Sequence, residues 1–91
     1  MNLYIIIFHL ANDTARRNSL VSLIKQQGPW ARITDNVWCI KAENKTTAEI
    51  RDVLGPGIQI QKDERLMVVD ITKSAWASYY LPKEVADWLK G

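Results

Sequence analysis

The sequence predicts a small α+β domain in which an antiparallel sheet carries two helices on one face. Three observations lead there. Apolar runs of strand length, such as "LYIIIF" at Leu3–Phe8 and "LMVVDIT" at Leu66–Thr72, alternate with amphipathic stretches of helix length. The runs fall in the order β-α-β-β-α-β, the split β-α-β plan. Cap and breaker residues punctuate their boundaries. The 91 residues suffice for one domain, read as a core over 1–73 and a C-terminal extension over 74–91.

Each element has a local reason. The first run is aromatic or branched aliphatic at odd and even positions alike, which predicts a strand buried on both faces. Asn12 or Asp13 then offers a side-chain oxygen to the orphan N–H groups of a helix over Thr14–Gln27. Leu20, Leu23, Ile24 and Gln27 share one side of that helix, with Val21 beside them, while Arg16, Arg17 and Lys25 fall toward water. Gly28 and Pro29 end it. Trp30–Thr34 and Val37–Lys41 read as strands joined by a tight turn in "TDN" at 34–36, with Trp30 and Trp38 able to stack across the hairpin. Thr46 and Glu49 in "TTAE" form a capping box. It opens a helix with Ile50, Val53 and Leu54 on one face, which "GPG" at 55–57 is expected to break. "IQIQ" at 58–61 is either a short edge strand or an extended loop. After the last strand, Pro82 opens a short helix through Lys90, striped by Val85, Trp88 and Leu89.

This is the ferredoxin-like arrangement, and two helices cover only one face of such a sheet. Yet the first and fourth strands are apolar on both faces. The second face therefore needs the C-terminal segment, a second copy of the chain, or both. A homodimer is expected, since it also enlarges a small core. Its candidate interface residues are Tyr4, Ile6, Phe8, Met67, Val69, Trp76, Tyr79 and Tyr80.

Composition narrows the function classes. With 47% hydrophobic and 24% charged residues the chain reads as a soluble globular protein. A formal net charge of +2 permits nucleic acid as a partner without demanding it. The single cysteine, Cys39 within "VWCI", allows no internal disulfide, suits a reducing cytoplasm and reads as a core residue. No Cys/His cluster has zinc spacing. The N-terminal apolar run lacks a basic leader and cleavage site, and no run is long enough to span a bilayer, so a cytoplasmic protein with no membrane partner is expected.

The candidates for chemistry are few. His9 closes the first strand, where an imidazole suits general acid–base work or simply a hydrogen bond across the sheet. Asp13 is a metal-ligand candidate whose simpler job is a helix cap. Arg16 and Arg17 lie in a first helical turn, where the macrodipole disfavours cations; a solvated helix face is the simpler reading, and a phosphate contact or a carboxylate partner the functional one. With Lys25 and Arg32 they form the candidate nucleic-acid-binding set. Trp76, Tyr79 and Tyr80 in "AWASYY" have no basic residues interleaved, which favours packing over base stacking.

A strand closing at this site, a polar loop, then "RRN" and a leucine-rich helix resemble the small ferredoxin-like CRISPR adaptation proteins and the virulence-associated protein D toxins. A closer resemblance is to short bacterial proteins termed SinR-like. It rests on Gly28, Trp30 and Ala31; Trp38 and Ile40; Ala48–Leu54; Asp63–Val68; Ala75 and Trp76; and Trp88–Lys90. The resemblance implies a ferredoxin-like dimer whose nuclease members hold a divalent metal on an acid at the end of the first strand. His9 stands at that position, and imidazole suits Mg²⁺ poorly, so a divalent metal is doubtful and no cofactor is expected. Three readings result. The first is a dimeric binding or scaffold module with a degenerate metal site, partnered by nucleic acid or by an adaptation or antitoxin-like protein. The second is a toxin-like or phage-related nuclease using His9 with nearby arginines. The third is a protein-binding module working through its sheet edge or aromatic tail.

Overall fold

The computed structural model describes residues 1–11 and 13–91; Asn12, the alternative cap for the first helix, lies outside them. The chain forms β1 (Asn2–His9), α1 (Thr14–Gln26), β2 (Trp30–Thr34), β3 (Val37–Ala42), α2 (Thr47–Gly57), β4 (Arg65–Asp70) and α3 (Lys83–Lys90). The four strands make one antiparallel sheet in the order β2-β3-β1-β4. This α+β architecture fits the ferredoxin-like plan in general.

Strand alternation sets the core. Tyr4, Ile6 and Phe8 point to the helix side of β1, where Tyr4 pairs with Ile40 and Ile6 with Trp38. They are buried against Leu20 and Ile24 of α1, Ile50 and Leu54 of α2, and Ile58. Each such burial is worth roughly 1.5–3 kcal/mol relative to exposure. This corrects one expectation: Tyr4, Ile6 and Phe8 belong to the protomer's own core and cannot also face a second copy. On this strand the outward set is the odd one, and it includes Ile7.

The C-terminal segment covers part of that outward face of its own chain. Ile5, Ile33, Cys39 and Ile71 of the sheet side, with Trp76, Leu81 and Leu89 of the segment, line a cavity of about 260 Å³. Lys41 Nζ donates to the Trp88 carbonyl at 2.7 Å and lies 4.3 Å from the centre of the Trp88 ring, holding α3 near β3. Cys39 is fully buried beneath the segment, and burial pushes its thiol up to about 11. Further along, Ile7 is 39% and Met67 53% exposed. Tyr79 and Tyr80 project into solvent at 91% and 99% exposure.

Local chemistry explains the element ends. Asp13 caps α1 by accepting from the Arg16 N–H at 3.1 Å. Both halves of the Thr46–Glu49 capping box are made, at 2.9 and 3.0 Å. α2 does not break at "GPG" as expected but runs through Gly57. A residue before proline is driven from the helical region partly by its Cβ, and Gly55 has none. "IQIQ" is a loop, not an edge strand: Gln59 has φ 52°, while Ile58 is buried and Ile60 packs against the core. β4 stops at Asp70, whose carboxylate accepts from Thr72 N–H at 2.9 Å and closes a turn. Among the described residues, no helix is long and apolar enough to cross a membrane.

Candidate nucleic-acid interface

Arg17, Val21 and Lys25 recur at four-residue spacing, which places them along one face of α1. Arg32 pairs with Trp38, whose side chain faces the helix layer, so Arg32 rises on that same side at the edge strand. The three cations meet around an open groove of about 420 Å³ between α1 and the β2–β3 hairpin. Asn18 and Ser22 add neutral donors, Trp38 contributes an aromatic wall, and Asp35 is the acid of the lining. Three cations thus stand against one carboxylate.

The groove is built from bonded parts. Arg32 Nη1 lies 2.6 Å from Asp35 Oδ1, and Arg17 Nη2 donates to the Asp35 carbonyl. Trp38 Nε1 donates to that carbonyl at 3.1 Å. The Lys25 ammonium lies 4.4 Å from the Trp30 ring centre and 5.6 Å from that of Trp38. Trp30 and Trp38 pack with centroids 5.5 Å apart at 47°, the expected contact across the hairpin. Arg17 passes over Phe8, 5.9 Å from the ring centre. These contacts hold the cations near one another while leaving Lys25 and Arg32 exposed.

Arg16 does something else. Its guanidinium forks onto Glu64, with Nη1–Oε2 at 2.5 Å and Nη2–Oε1 at 2.7 Å, and it also donates to the Ile58 carbonyl. Glu64 is buried and further accepts from Ala11 N–H and Gln61 N–H. The Arg16 hydrogen bond and those backbone donors outweigh desolvation and hold the Glu64 carboxyl at about 2. Arg16 is therefore withdrawn from the nucleic-acid set, and its partner in that first turn is a carboxylate of its own chain. It joins the start of α1 to the α2–β4 loop.

His9 is exposed at the end of β1, opposite Arg65 of β4, and is not part of the groove lining. Asp13 is engaged as the α1 cap. Among the described residues, no three of His, Cys, Asp and Glu gather as a metal-holding group. An imidazole and a capping carboxylate do not fit the oxygen-rich set that a hard divalent cation needs. Of the sequence candidates, the fold brings together Arg17, Lys25 and Arg32 and leaves His9, Asp13 and Arg16 apart. Sequence reading missed Asn18, Ser22, Asp35 and Glu64. Ser22 follows Asn18 by four residues, so the two are signalled together beside the Arg17–Val21–Lys25 row, but nothing local signals that Glu64 folds back 48 residues onto Arg16.

The chain matches no family model and no curated protein sequence.

Proposed function

We propose that this protein is a nucleic-acid-binding module whose working surface is the groove of Arg17, Lys25 and Arg32. The observation that carries the reading is their convergence from a helix face and an edge strand onto one open, tryptophan-walled groove. Arginine forks and a lysine ammonium suit phosphate oxygens, and clustered cations release counterions on binding. The reading agrees with the motif resemblance to the CRISPR adaptation proteins. It is a dimeric binding or scaffold module rather than a nuclease, because His9 and Asp13 form no site with these cations.

The test is salt-dependent binding to labelled oligonucleotides. Binding that weakens with salt, with a log–log slope shallower by about 0.7 to 0.9 for Arg32→Gln or Lys25→Gln, is the expected result. Affinity indifferent to salt and to both substitutions would overturn the reading.

The outward strip of Ile7 and Met67, with half-buried Val69 beside it, favours self-association as the second part of the proposal. It leaves apolar surface toward the β1–β4 edge of the sheet that the C-terminal segment does not cover, and a second copy would bury it.

A further inference from the structure

The cationic groove does not end at Arg32. That residue also lines a second groove, of about 360 Å³, between the edge strand β2 and α3. Its walls carry two indoles far apart in sequence, Trp30 and Trp88, with Val85 and Pro82 beside them. Each indole has a lysine ammonium over its ring: Lys25 at 4.4 Å from the centre of Trp30, and Lys41 at 4.3 Å from that of Trp88. Trp30 is 42% exposed, so part of its indole is open to a ligand. Glu84 stands at this second groove, so its charge turns phosphates away.

Resting on the nucleic-acid reading, we infer that the second groove is a base-stacking site and that the ligand is single-stranded. The two grooves divide a nucleotide chain by chemistry. Phosphates are held at Arg17, Lys25 and Arg32, and a base lays its flat face on Trp30 or Trp88. Arg32 sits at the junction, where sugar–phosphate gives way to base. A duplex buries its base faces in its own stack, whereas a single strand offers them to an aromatic ring. Interleaving of cations with aromatic rings, missing from "AWASYY", arises here because strand, helix and C-terminal extension meet at one edge.

The experiment compares a labelled single-stranded 12-mer with its duplex at one salt concentration, by anisotropy and by tryptophan quenching. It uses the full chain and the variants Trp30→Leu, Trp30→Phe and Trp88→Leu, each checked by circular dichroism. The single strand is expected to bind more tightly and to quench tryptophan emission. Trp30→Leu and Trp88→Leu are expected to weaken single-strand binding by about 5- to 150-fold, the range that one stacked base contributes. They weaken single-strand binding by a larger factor than duplex binding, because the phosphate groove keeps its cations, and Trp30→Phe recovers part of the loss. Equal affinity for duplex and single strand, or single-strand binding without quenching, overturns the stacking site while the phosphate groove stands. Binding of neither nucleic acid overturns the nucleic-acid reading itself.

Discussion

Arg16 and Arg17 are adjacent in sequence and opposite in role. One turns inward to Glu64 and the other lies along the groove. The difference follows from the 100° rotation per helical residue, which no composition count registers. Glu64 makes the inward role testable. Its carboxyl stands near 4.5 unperturbed and at about 2 in the folded protein. A folded value below the unfolded one means that protons bind preferentially to the unfolded chain. The stabilisation is complete above about pH 4.5 and is lost as pH falls toward 2. Melting from pH 7 down to pH 2.5 is expected to show that loss in the native protein. Glu64→Gln starts with a lower Tm at pH 7 and loses Tm less steeply on acidification; parallel curves would contradict the assignment. His9 provides the complementary check. His9→Ala is expected to bind nucleic acid as the native protein does, and neither protein to cleave RNA or DNA with Mg²⁺, Mn²⁺ or EDTA. Cleavage abolished by His9→Ala would move the chemistry to the end of β1.

Among the elements, the β2–β3 hairpin supplies one wall of the proposed binding groove, and its entry is sterically set. Gly28 has φ 156°, and a Cβ there would meet the Lys41 carbonyl oxygen at 2.1 Å. The close approach lets Lys41 N–H reach the Pro29 carbonyl at 2.9 Å and starts the β2–β3 pairing. Gly28→Ala is therefore expected to cost more than about 1 kcal/mol and to weaken nucleic-acid binding, read by denaturant melts and anisotropy. The capping box of α2 is a separate local device. Thr46→Ala is expected to cost about 1 kcal/mol without changing binding, because α2 does not line either groove. Capping was legible in four consecutive letters. The continuation of α2 through Pro56 was not, because a breaker motif at a helix end reads the same whether the helix stops before it or includes it.

At the scale of the whole molecule, the sheet has one face closed by α1 and α2 and another only partly closed by its own C-terminal segment. The uncovered part, around Ile7 and Met67, is where the proposed dimer forms. Met67→Glu is expected to shift the sedimentation coefficient from dimer to monomer while the far-ultraviolet spectrum stays unchanged; a native protein already monomeric at high concentration would remove that half of the proposal. Tyr79 and Tyr80 stand apart from both grooves' aromatic walls, and their rings tilt against each other at 5.9 Å. Trp88 belongs both to the fold and to the proposed stacking site. It anchors α3 through Lys41 and faces the same groove as Trp30.

The amino-acid order by itself determined the elements, their succession, the cap at Thr46, the choice of Asn12 or Asp13 as the other cap, and the burial of Cys39, Leu20 and Ile24. These depend on neighbours within a few residues, through alternation, helical spacing and side-chain hydrogen bonds to nearby backbone. Only the tertiary structure decided which face of β1 is the core, because a strand apolar on both sides carries no signal that separates Ile6 from Ile7. It also decided that Arg16 serves the fold while Arg17 joins Lys25 and Arg32, and that Trp30 and Trp88 line one groove. Those choices depend on contacts between residues tens of positions apart: α1 and α2 packing on one face of the sheet, Glu64 folding back onto Arg16, and α3 lying against the edge strand β2.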